Sequence, residues 1–421
     1  MTINEIKTVC FVGGGTMGCF NALLAGIAGY EALIWDHSPE TMGRLPDRLW
    51  EFGFWFAQKG LFPADHLTAG ISRIHPVDDP QQASARADLL SESVFERLDL
   101  KRQVHEKFDR LCPAHTIMTT NTSNLLVSRI ETAVQRGDRF AALHGHLGAV
   151  LYDIVGGPRT SEQTIDILTR YVYSLGGLPM ILRKERPGYI FNAMFGPILA
   201  RALMLLIEGR ADMQDIDRAW MMGRNAEAGP FAIMDAVGLN VILDDATEKL
   251  SDPVKSEGAR GIVQFLQPMA ARGDLGIKTG KGFYTYPDPA FADPGFLVGK
   301  EFPETLYDAL FSSLVFNALL LVIDEYATVH DVDRAWMAAT HTDMGPLGML
   351  DFKGLDVFAT LLDRPDIMGP YSPGDKERVQ AFLRTYLDQG HLGVQSGRGI
   401  YVYPEPAYKT TGFLFGKETG A

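Results

Sequence analysis

A glycine-rich turn near the start of the chain constrains its fold most strongly. Gly13, Gly15 and Gly18 follow the apolar run TVCFV and precede the run CFNALLAGIAGY, which is rich in small residues. The first glycine permits a tight turn, the second lets a ligand approach the backbone, and the third lets a helix pack closely on a strand. A second apolar run, EALIWD, follows at once. This order predicts a βαβ unit of strand, turn, helix and strand.

The same turn predicts a binding site for a dinucleotide. A pyrophosphate would lie at the N-terminus of the helix, where free N–H groups and the helix dipole favour an anion. Asp36 ends the second strand, and its carboxylate can accept both ribose hydroxyls of NAD while its charge repels the 2′-phosphate of NADP. We therefore expect NAD as the cofactor. The residues of the turn that would contact it are Gly13, Gly15, Thr16, Met17 and Gly18.

Short apolar runs alternate with helical patterns as far as about residue 185. The runs ADLLSESV, HTIMTTN, RFAALHGH and VLYDIV are separated mostly by helical patterns, as a doubly wound parallel sheet requires. Beyond Pro187 and Gly188 the patterns are helical. We predict an α/β Rossmann domain with a doubly wound parallel sheet over residues 1–186, followed by two tandem all-α domains over residues 187–300 and 301–421.

The second half of the chain contains an internal repeat. Four blocks recur in the same order: DIDRAW as DVDRAW, GPFAIMDAVGLN as GPLGMLDFKGLD, LGIKTGKGFYTYPDP as LGVQSGRGIYVYPEP, and GFLVGKE as GFLFGKE. Matched blocks in one order indicate a duplicated helical domain. We expect the two copies to pack against each other as a pseudo-dimer within one chain. A homodimer through other surfaces stays open.

Composition and charge limit what the chain can bind. Its formal net charge of -13 disfavours binding to nucleic acid. The three cysteines, Cys10, Cys19 and Cys112, form no CxxC motif, which predicts a reduced compartment with neither disulfides nor a zinc site. The first residues lack the pattern of a signal peptide, and the longest apolar runs are too short to span a membrane. We expect a cytoplasmic protein without bound metal that acts on a small molecule.

Motifs along most of the chain resemble those of the 3-hydroxyacyl-CoA dehydrogenase family. ESVFERLDLKRQV, TNTSN and RFAALH resemble its acidic helix start, its Asn-Thr-Ser and the strand that carries its catalytic histidine. PGYIFN resembles its Pro-Gly-Phe-x-x-Asn-Arg signature, and ADMQDIDRAW, GPF and KTGKGFY resemble its C-terminal domain. The resemblance implies reversible, NAD-dependent oxidation of a 3-hydroxyacyl-CoA to the 3-oxoacyl-CoA. In the longer members a second C-terminal copy takes the place of a dimer partner.

The resemblance also implies roles for single residues. It places the general base at His144, the carboxylate that holds it at Asp153, a hydroxyl beside the substrate oxygen and the nicotinamide at Ser123, and a donor to the substrate carbonyl at Asn192. A neutral imidazole can take a hydroxyl proton when a carboxylate stabilises the imidazolium. Asp308 stands in the second copy where the first has Asn192, so we expect that copy to be structural. The further positions that match NAD contacts are Glu96, Lys101, Asn121, Ser123 and Lys278.

Two departures from the family pattern keep other interpretations open. From His144 onward the chain reads HGHLGA where the family has His-Phe-Phe-Asn-Pro, and His146 becomes a competing candidate for the base. The loop is three residues shorter, and Asp153 replaces a glutamate. The region that carries CoA-binding lysines in the family reads RLPDRLWEFGFWFAQKG, with few basic groups. An NAD-dependent dehydrogenase of a bulky or aromatic compound without CoA is the alternative function, and a non-catalytic nucleotide-binding protein is the third.

Overall fold

The structure, a computed structural model, describes residues 5–251 and 256–416. Its first part is a sheet whose strands alternate with helices. The strands are Thr8–Val12 (β1), Glu31–Trp35 (β2), Ile74–Pro76 (β3), Leu89–Glu92 (β4), Ile117–Thr120 (β5), Phe140–Gly145 (β6), Leu151–Gly156 (β7) and Leu178–Leu182 (β8). The accompanying helices are Thr16–Ile27 (α1), Pro39–Gly43 (α2), Leu45–Gln58 (α3), His66–Ile71 (α4), Pro80–Ser84 (α5), Leu98–Leu111 (α6), Val127–Ile130 (α7) and Glu162–Ser174 (α8).

The strand order is β3-β2-β1-β4-β5-β6-β7-β8, and neighbouring strands from β3 to β6 are parallel. Because the order reverses between β1 and β4, a crevice for a ligand is expected outside the carboxyl ends of these strands. The predicted fold class is confirmed, with one correction. Strand β7 runs antiparallel to β6 and parallel to β8, so the sheet is mostly rather than wholly parallel.

Apolar side chains from the sheet and its flanking helices form one core. Phe11 of β1, Phe20 and Leu23 of α1, and Tyr152 of β7 belong to this cluster and are almost completely buried. The three cysteines are buried and free, as expected. The core thus holds β1 and α1, and with them the turn that joins them, in a fixed position.

The second half of the chain is helical. The helices are Phe191–Ile207 (α9), Met213–Arg224 (α10), Pro230–Val237 (α11), Leu239–Glu248 (α12), Ser256–Ala271 (α13), Glu304–Ile323 (α14), Val329–Thr340 (α15), Pro346–Lys353 (α16), Leu355–Leu361 (α17) and Pro373–Leu387 (α18). Helices α10 and α15 contain the first repeated block, and α11 and α12, like α16 and α17, begin within the second.

Matching residues of the repeated blocks make matching hydrogen bonds. Asp235 accepts the backbone N–H groups of Phe283 and Tyr284, at 2.8 Å each. In the second copy, Asp351 accepts those of Ile400 and Tyr401, at 2.7 Å each. The same sequence thus produces the same local structure twice. The last two residues of the fourth repeated block, Lys417 and Glu418, lie outside the described residues.

Contacts along the chain define two compact units. The first comprises Met1–Phe191, Glu325–Gly345 and Tyr408–Ala421, and the second comprises Asn192–Asp324 and Pro346–Ala407. Helix α15 therefore belongs to the first unit, although its sequence belongs to the second repeat. The domain boundaries 1–186, 187–300 and 301–421 describe stretches of sequence, do not coincide with these units, and stay a prediction.

Helix α14 is long and apolar enough, by length and composition, to cross a membrane. It extends beyond the apolar run from which we expected no span. Of its most apolar window, 67% is buried inside the protein, as in the core helix of a soluble protein. Within residues 5–251 and 256–416, no second helix meets the same length and composition criteria.

Candidate active site

The glycine turn between β1 and α1 has the geometry of an anion cradle. Gly13 has a φ of 109°, and a Cβ there would lie 2.6 Å from the carbonyl oxygen of Ser93. A Cβ on Gly18 would lie 1.8 Å from the carbonyl oxygen of Gly13. A Cβ on Gly15 would meet nothing within 4 Å, and no side chain caps α1 at this residue. Two glycines are thus required by packing, and the third leaves open space at the N-terminus of a helix.

Asp36 follows β2 directly and is turned towards this cradle. Its Oδ2 accepts the backbone N–H of Gly14 at 2.8 Å, and its Oδ1 accepts that of Ser38 at 2.9 Å. Arg48 of α3 donates to the carbonyl oxygen of Gly14 at 2.7 Å, a contact that sequence reasoning missed because α3 is distant along the chain. An open helix N-terminus beside a carboxylate fits the pyrophosphate and ribose of NAD, and the contact of Asp36 with the ribose stays a prediction. Thr16 and Met17, which the sequence assigned to the glycine turn, lie in the first turn of α1, and their contacts with NAD stay predictions.

A buried charge network closes the carboxyl end of β4. Glu92 accepts Lys101 Nζ at 2.8 Å and Thr120 Oγ1 at 2.6 Å, and lies 3.1 Å from His105 Nε2. Burial alone would raise the pKa of Glu92, but Lys101 and His105 outweigh it and lower that pKa to about 2. Lys101, which the resemblance matched to an NAD contact, is 1% exposed and also lies 3.4 Å from Glu96. The sequence analysis did not identify Glu92 as a candidate site residue, because its contacts with Lys101 and Thr120 depend on how the strands and helices pack.

Glu96 organises the loop that follows β5. Its Oε1 accepts the backbone N–H groups of Ser123 and Asn124, at 3.0 Å each, and the hydroxyl of Thr122. Asn121 Oδ1 accepts the backbone N–H of Gly145 at 2.8 Å, which ties this loop to the end of β6. The half-buried Ser123 is thereby held at the edge of the sheet where His144 lies, because β5 and β6 are parallel.

His144 and Asp153 face each other across the antiparallel pair β6 and β7. His144 Nδ1 lies 3.1 Å from Asp153 Oδ2, and His146 Nε2 lies 2.7 Å from the same oxygen. Asp153 is completely buried, and its Oδ1 has no hydrogen-bond partner within the described ranges. The predicted pair therefore has a third member, since one carboxylate oxygen serves two imidazoles.

The protonation of this cluster follows from burial and charge. Burial, followed by the nearby His146, lowers the pKa of His144, and Asp153 only partly offsets this. Burial would raise the pKa of Asp153, but the two imidazoles outweigh it and lower that pKa. His144 is thus a neutral imidazole beside an ionised carboxylate at neutral pH, the state that a general base requires. The three ligand atoms also lie within 4.8 Å of one another, close enough to hold a metal ion; the sequence-based expectation of no metal stays a prediction.

Aromatic rings surround the two imidazoles. The ring centroid of Tyr189 lies 5.4 Å from that of His144, and Phe191 lies 5.6 Å from His146. Trp336 lies 5.7 Å from Phe191. Because Trp336 belongs to α15, the second repeat contributes to the surroundings of the site, although we expected that copy to be structural.

Three predicted positions lie in the second unit. Asn192 is half-buried in the first turn of α9, and the exposed Lys278 donates to Asn240 Oδ1 at 2.5 Å. Asp308 is buried and accepts Lys353 Nζ at 2.7 Å, an ion pair that is consistent with a structural residue. The roles of Asn192 and Lys278 towards substrate and NAD stay predictions.

The chain is similar to known dehydrogenases over most of its length. Residues 8–185 match the NAD-binding domain of 3-hydroxyacyl-CoA dehydrogenase, and residues 188–286 and 307–403 match its C-terminal domain. The mitochondrial hydroxyacyl-coenzyme A dehydrogenase of Homo sapiens is 31% identical over 67% of this chain and 91% of its own length. A 5-formyl-3-hydroxy-2-methylpyridine 4-carboxylate 5-dehydrogenase of Mesorhizobium japonicum is 26% identical over 67% of this chain and 91% of its own length.

The fold has a solved counterpart over most of the chain. The crystal structure of 3-hydroxybutyryl-CoA dehydrogenase from Escherichia coli covers 90% of this chain and 99% of its own, with a TM-score of 0.74 and 21% identity. At that identity the likeness concerns the fold alone, while the sequence matches above identify the family. The chain belongs to the 3-hydroxyacyl-CoA dehydrogenase family and is an NAD-dependent oxidoreductase.

Proposed function

We propose that this enzyme reversibly oxidises the hydroxyl of a 3-hydroxyacyl-CoA to the 3-oxoacyl-CoA, with His144 as the general base. The observation that carries the proposal is the buried contact of 3.1 Å between His144 Nδ1 and Asp153 Oδ2. If Nδ1 carries the proton and donates a hydrogen bond to the carboxylate of Asp153, Nε2 has a free lone pair that can accept the proton of the substrate hydroxyl. Asp153 then stabilises the imidazolium that forms. NAD, when bound, supplies the acceptor for the hydride that leaves the substrate carbon.

The neighbouring groups support this assignment. Ser123 sits on a loop that Glu96 fixes through two backbone N–H groups, so its hydroxyl is held beside the carboxyl ends of β5 and β6. We assign it the role of hydrogen bonding to the substrate oxygen and the nicotinamide. Asn192 is assigned to the substrate carbonyl, and Glu96, Lys101, Asn121 and Lys278 to NAD. The NAD pyrophosphate is assigned to the start of α1 and its ribose to Asp36.

A dehydrogenase that acts on a bulky or aromatic compound without CoA is the second candidate. Helix α3, in the region where the family binds CoA, exposes Trp50, Phe54 and Trp55 rather than a cluster of basic side chains. Phosphates of CoA favour Lys and Arg. The apolar ring of Phe191 lies near His146, and Trp336 packs against Phe191. The relative from Mesorhizobium japonicum is named for a pyridine substrate, which supports the same alternative.

A substrate panel separates the two candidates. Purified enzyme with NAD is offered 3-hydroxyacyl-CoA thioesters of increasing chain length and, in parallel, the free hydroxy acids and aromatic hydroxy compounds, while NADH absorbance is followed. The proposal predicts the largest kcat/KM for a thioester. A larger kcat/KM for a compound without CoA would favour the second candidate. The absence of turnover throughout would contradict both. The expected location is the cytoplasm.

A further inference from the structure

A buried tyrosine whose ring lies near that of His144 has a hydroxyl without a partner in the described part of the chain. Tyr189 is 1% exposed, and within the described residues its hydroxyl makes no hydrogen bond. Two other buried tyrosines have partners: Tyr152 donates to Asn21 Oδ1 at 2.9 Å, and Tyr284 donates to Asp217 at 2.8 Å. A buried hydroxyl without a partner costs stability, so its presence needs an explanation.

The backbone at Tyr189 is also strained. Its φ of 46° lies in the left-handed region, which disfavours a bulky side chain. The preceding Gly188 donates its backbone N–H to the carbonyl oxygen of Ser123 at 2.9 Å, which holds this segment against the loop after β5. Strained backbone of this kind persists where the surrounding structure fixes it, and it is concentrated at functional sites.

Packing alone does not require a hydroxyl at position 189. A phenylalanine would fill the same volume without adding an unsatisfied buried group. The tyrosine ring lies 5.4 Å from the ring of His144, so the hydroxyl belongs to the surroundings of the proposed base.

We infer that Tyr189 is a substrate-contacting residue whose hydroxyl donates a hydrogen bond to the reacting oxygen of the substrate. The inference rests on the proposed function only in taking His144 as the group that receives the substrate proton. The reacting oxygen must then lie beside His144, and it supplies the acceptor that the protein lacks. As the proton leaves, negative charge grows on this oxygen, and a fixed donor stabilises it most in the transition state.

Electrostatics restrict the chemistry of the acceptor. Burial, followed by the charges of Asp153 and Glu96, raises the pKa of Tyr189 well above its usual value, so the hydroxyl keeps its proton. The same carboxylates disfavour a second anion at this point. The ligand group that Tyr189 recognises is therefore a neutral hydroxyl or oxo oxygen, and a substrate carboxylate is excluded from this position.

The test compares Tyr189→Phe with Tyr152→Phe, two variants that each remove one buried hydroxyl. Tyr189→Phe should lower kcat/KM by about ten- to a hundredfold, mainly through kcat, and leave the Kd of NAD unchanged. Its Tm should equal or exceed that of the wild type, because an unsatisfied group has been removed. Tyr152→Phe should show the opposite pattern, with a lower Tm and an unchanged kcat/KM, because its hydroxyl has a structural partner.

Unchanged kcat/KM in Tyr189→Phe would overturn the inference, and a lower Tm with unchanged kinetics would show a structural hydroxyl instead. Both variants are measured on the substrate of the panel that the wild type oxidises fastest. If that substrate carries no CoA, the thioester proposal fails while Tyr189 is still tested. A wild type that oxidises no member of the panel would overturn the inference together with the proposed function.

Discussion

At the scale of single residues, the carboxylate of Asp153 connects the proposed base to its surroundings. Its Oδ2 lies within hydrogen-bond distance of both His144 and His146. The pairing of His144 with Asp153 could be predicted from the sequence, because the family motif and a nearby carboxylate indicate it. The contact between His146 and Asp153 could not be predicted, because the distance between their side chains depends on the path of the shortened loop. Tyr189 lies in the motif PGYIFN, but the missing partner of its hydroxyl could be found only from the structure.

The pH dependence of turnover tests the environment of His144. Its pKa is lowered by burial and by His146, while Asp153 and Glu96 act in the opposite direction. Since only the neutral imidazole accepts a proton, kcat/KM for oxidation should rise with pH along a limb whose midpoint lies below the usual pKa of a histidine. His146→Ala removes one of the lowering influences and should move this limb to higher pH. The measurement is kcat/KM of the wild type and of His146→Ala over a series of pH values. An identical rise in both profiles would show that His146 does not affect the pKa of His144.

At the scale of secondary structure elements, the reversal between β6 and β7 builds the proposed catalytic pair. The connection at residues 146–150 is too short for the crossover that a parallel pair needs, so β7 must run antiparallel to β6. The register then places His144 opposite Asp153. The strands themselves could be predicted from apolar runs. The direction of β7 could not be predicted from its apolar run, and it makes the expected parallel sheet a mostly parallel one.

The glycine turn provides a prediction at this scale. Gly18→Ala places a Cβ at 1.8 Å from the carbonyl oxygen of Gly13, so α1 must shift. Stability should fall by roughly 1–3 kcal/mol, as for an overpacked core, and NAD binding should be lost. Gly15→Ala meets no protein atom within 4 Å, so Tm should be unchanged while NAD binds at least about tenfold more weakly. Calorimetric titration measures the affinity of each variant for NAD, and thermal unfolding measures its Tm. An affinity of Gly15→Ala for NAD equal to that of the wild type would contradict the assignment of the pyrophosphate to this turn.

At the scale of the whole molecule, the duplicated helical domain could be predicted from the sequence, whereas the division into two compact units could not. The matched sequence blocks predict two helical copies, and Asp235 and Asp351 make equivalent hydrogen bonds in the two copies. Helix α15 nevertheless belongs to the first unit, and it brings Trp336 to Phe191. Sequence periodicity describes the face of a helix that is buried but does not identify the partner. The expected pseudo-dimer of the two copies stays a prediction.

Arg201 offers a test of how the two copies hold together within the second unit. This arginine of α9 is 7% exposed, and it donates to the carbonyl oxygens of Asp366 and Ile367, at 3.1 and 3.2 Å, in the second copy. Arg201→Met should lower the free energy of unfolding by about 1–3 kcal/mol, because two carbonyls lose a charged donor. Urea unfolding measures the loss, with the exposed Arg210→Met as the matched control. Equal stability of the two variants would contradict a bonded contact between the copies.

The central claim is that His144 is the base, and replacing each histidine separately tests it most directly. On the substrate that the wild type oxidises fastest, His144→Ala should lower kcat by roughly a hundredfold to ten-thousandfold, while the Kd of NAD stays unchanged because the glycine turn and Asp36 hold the cofactor. His146→Ala should cost no more than about tenfold, since Asp153 keeps its contact with His144. If His146→Ala abolishes turnover while His144→Ala retains it, the altered loop has transferred the catalytic role to His146 and the account is wrong.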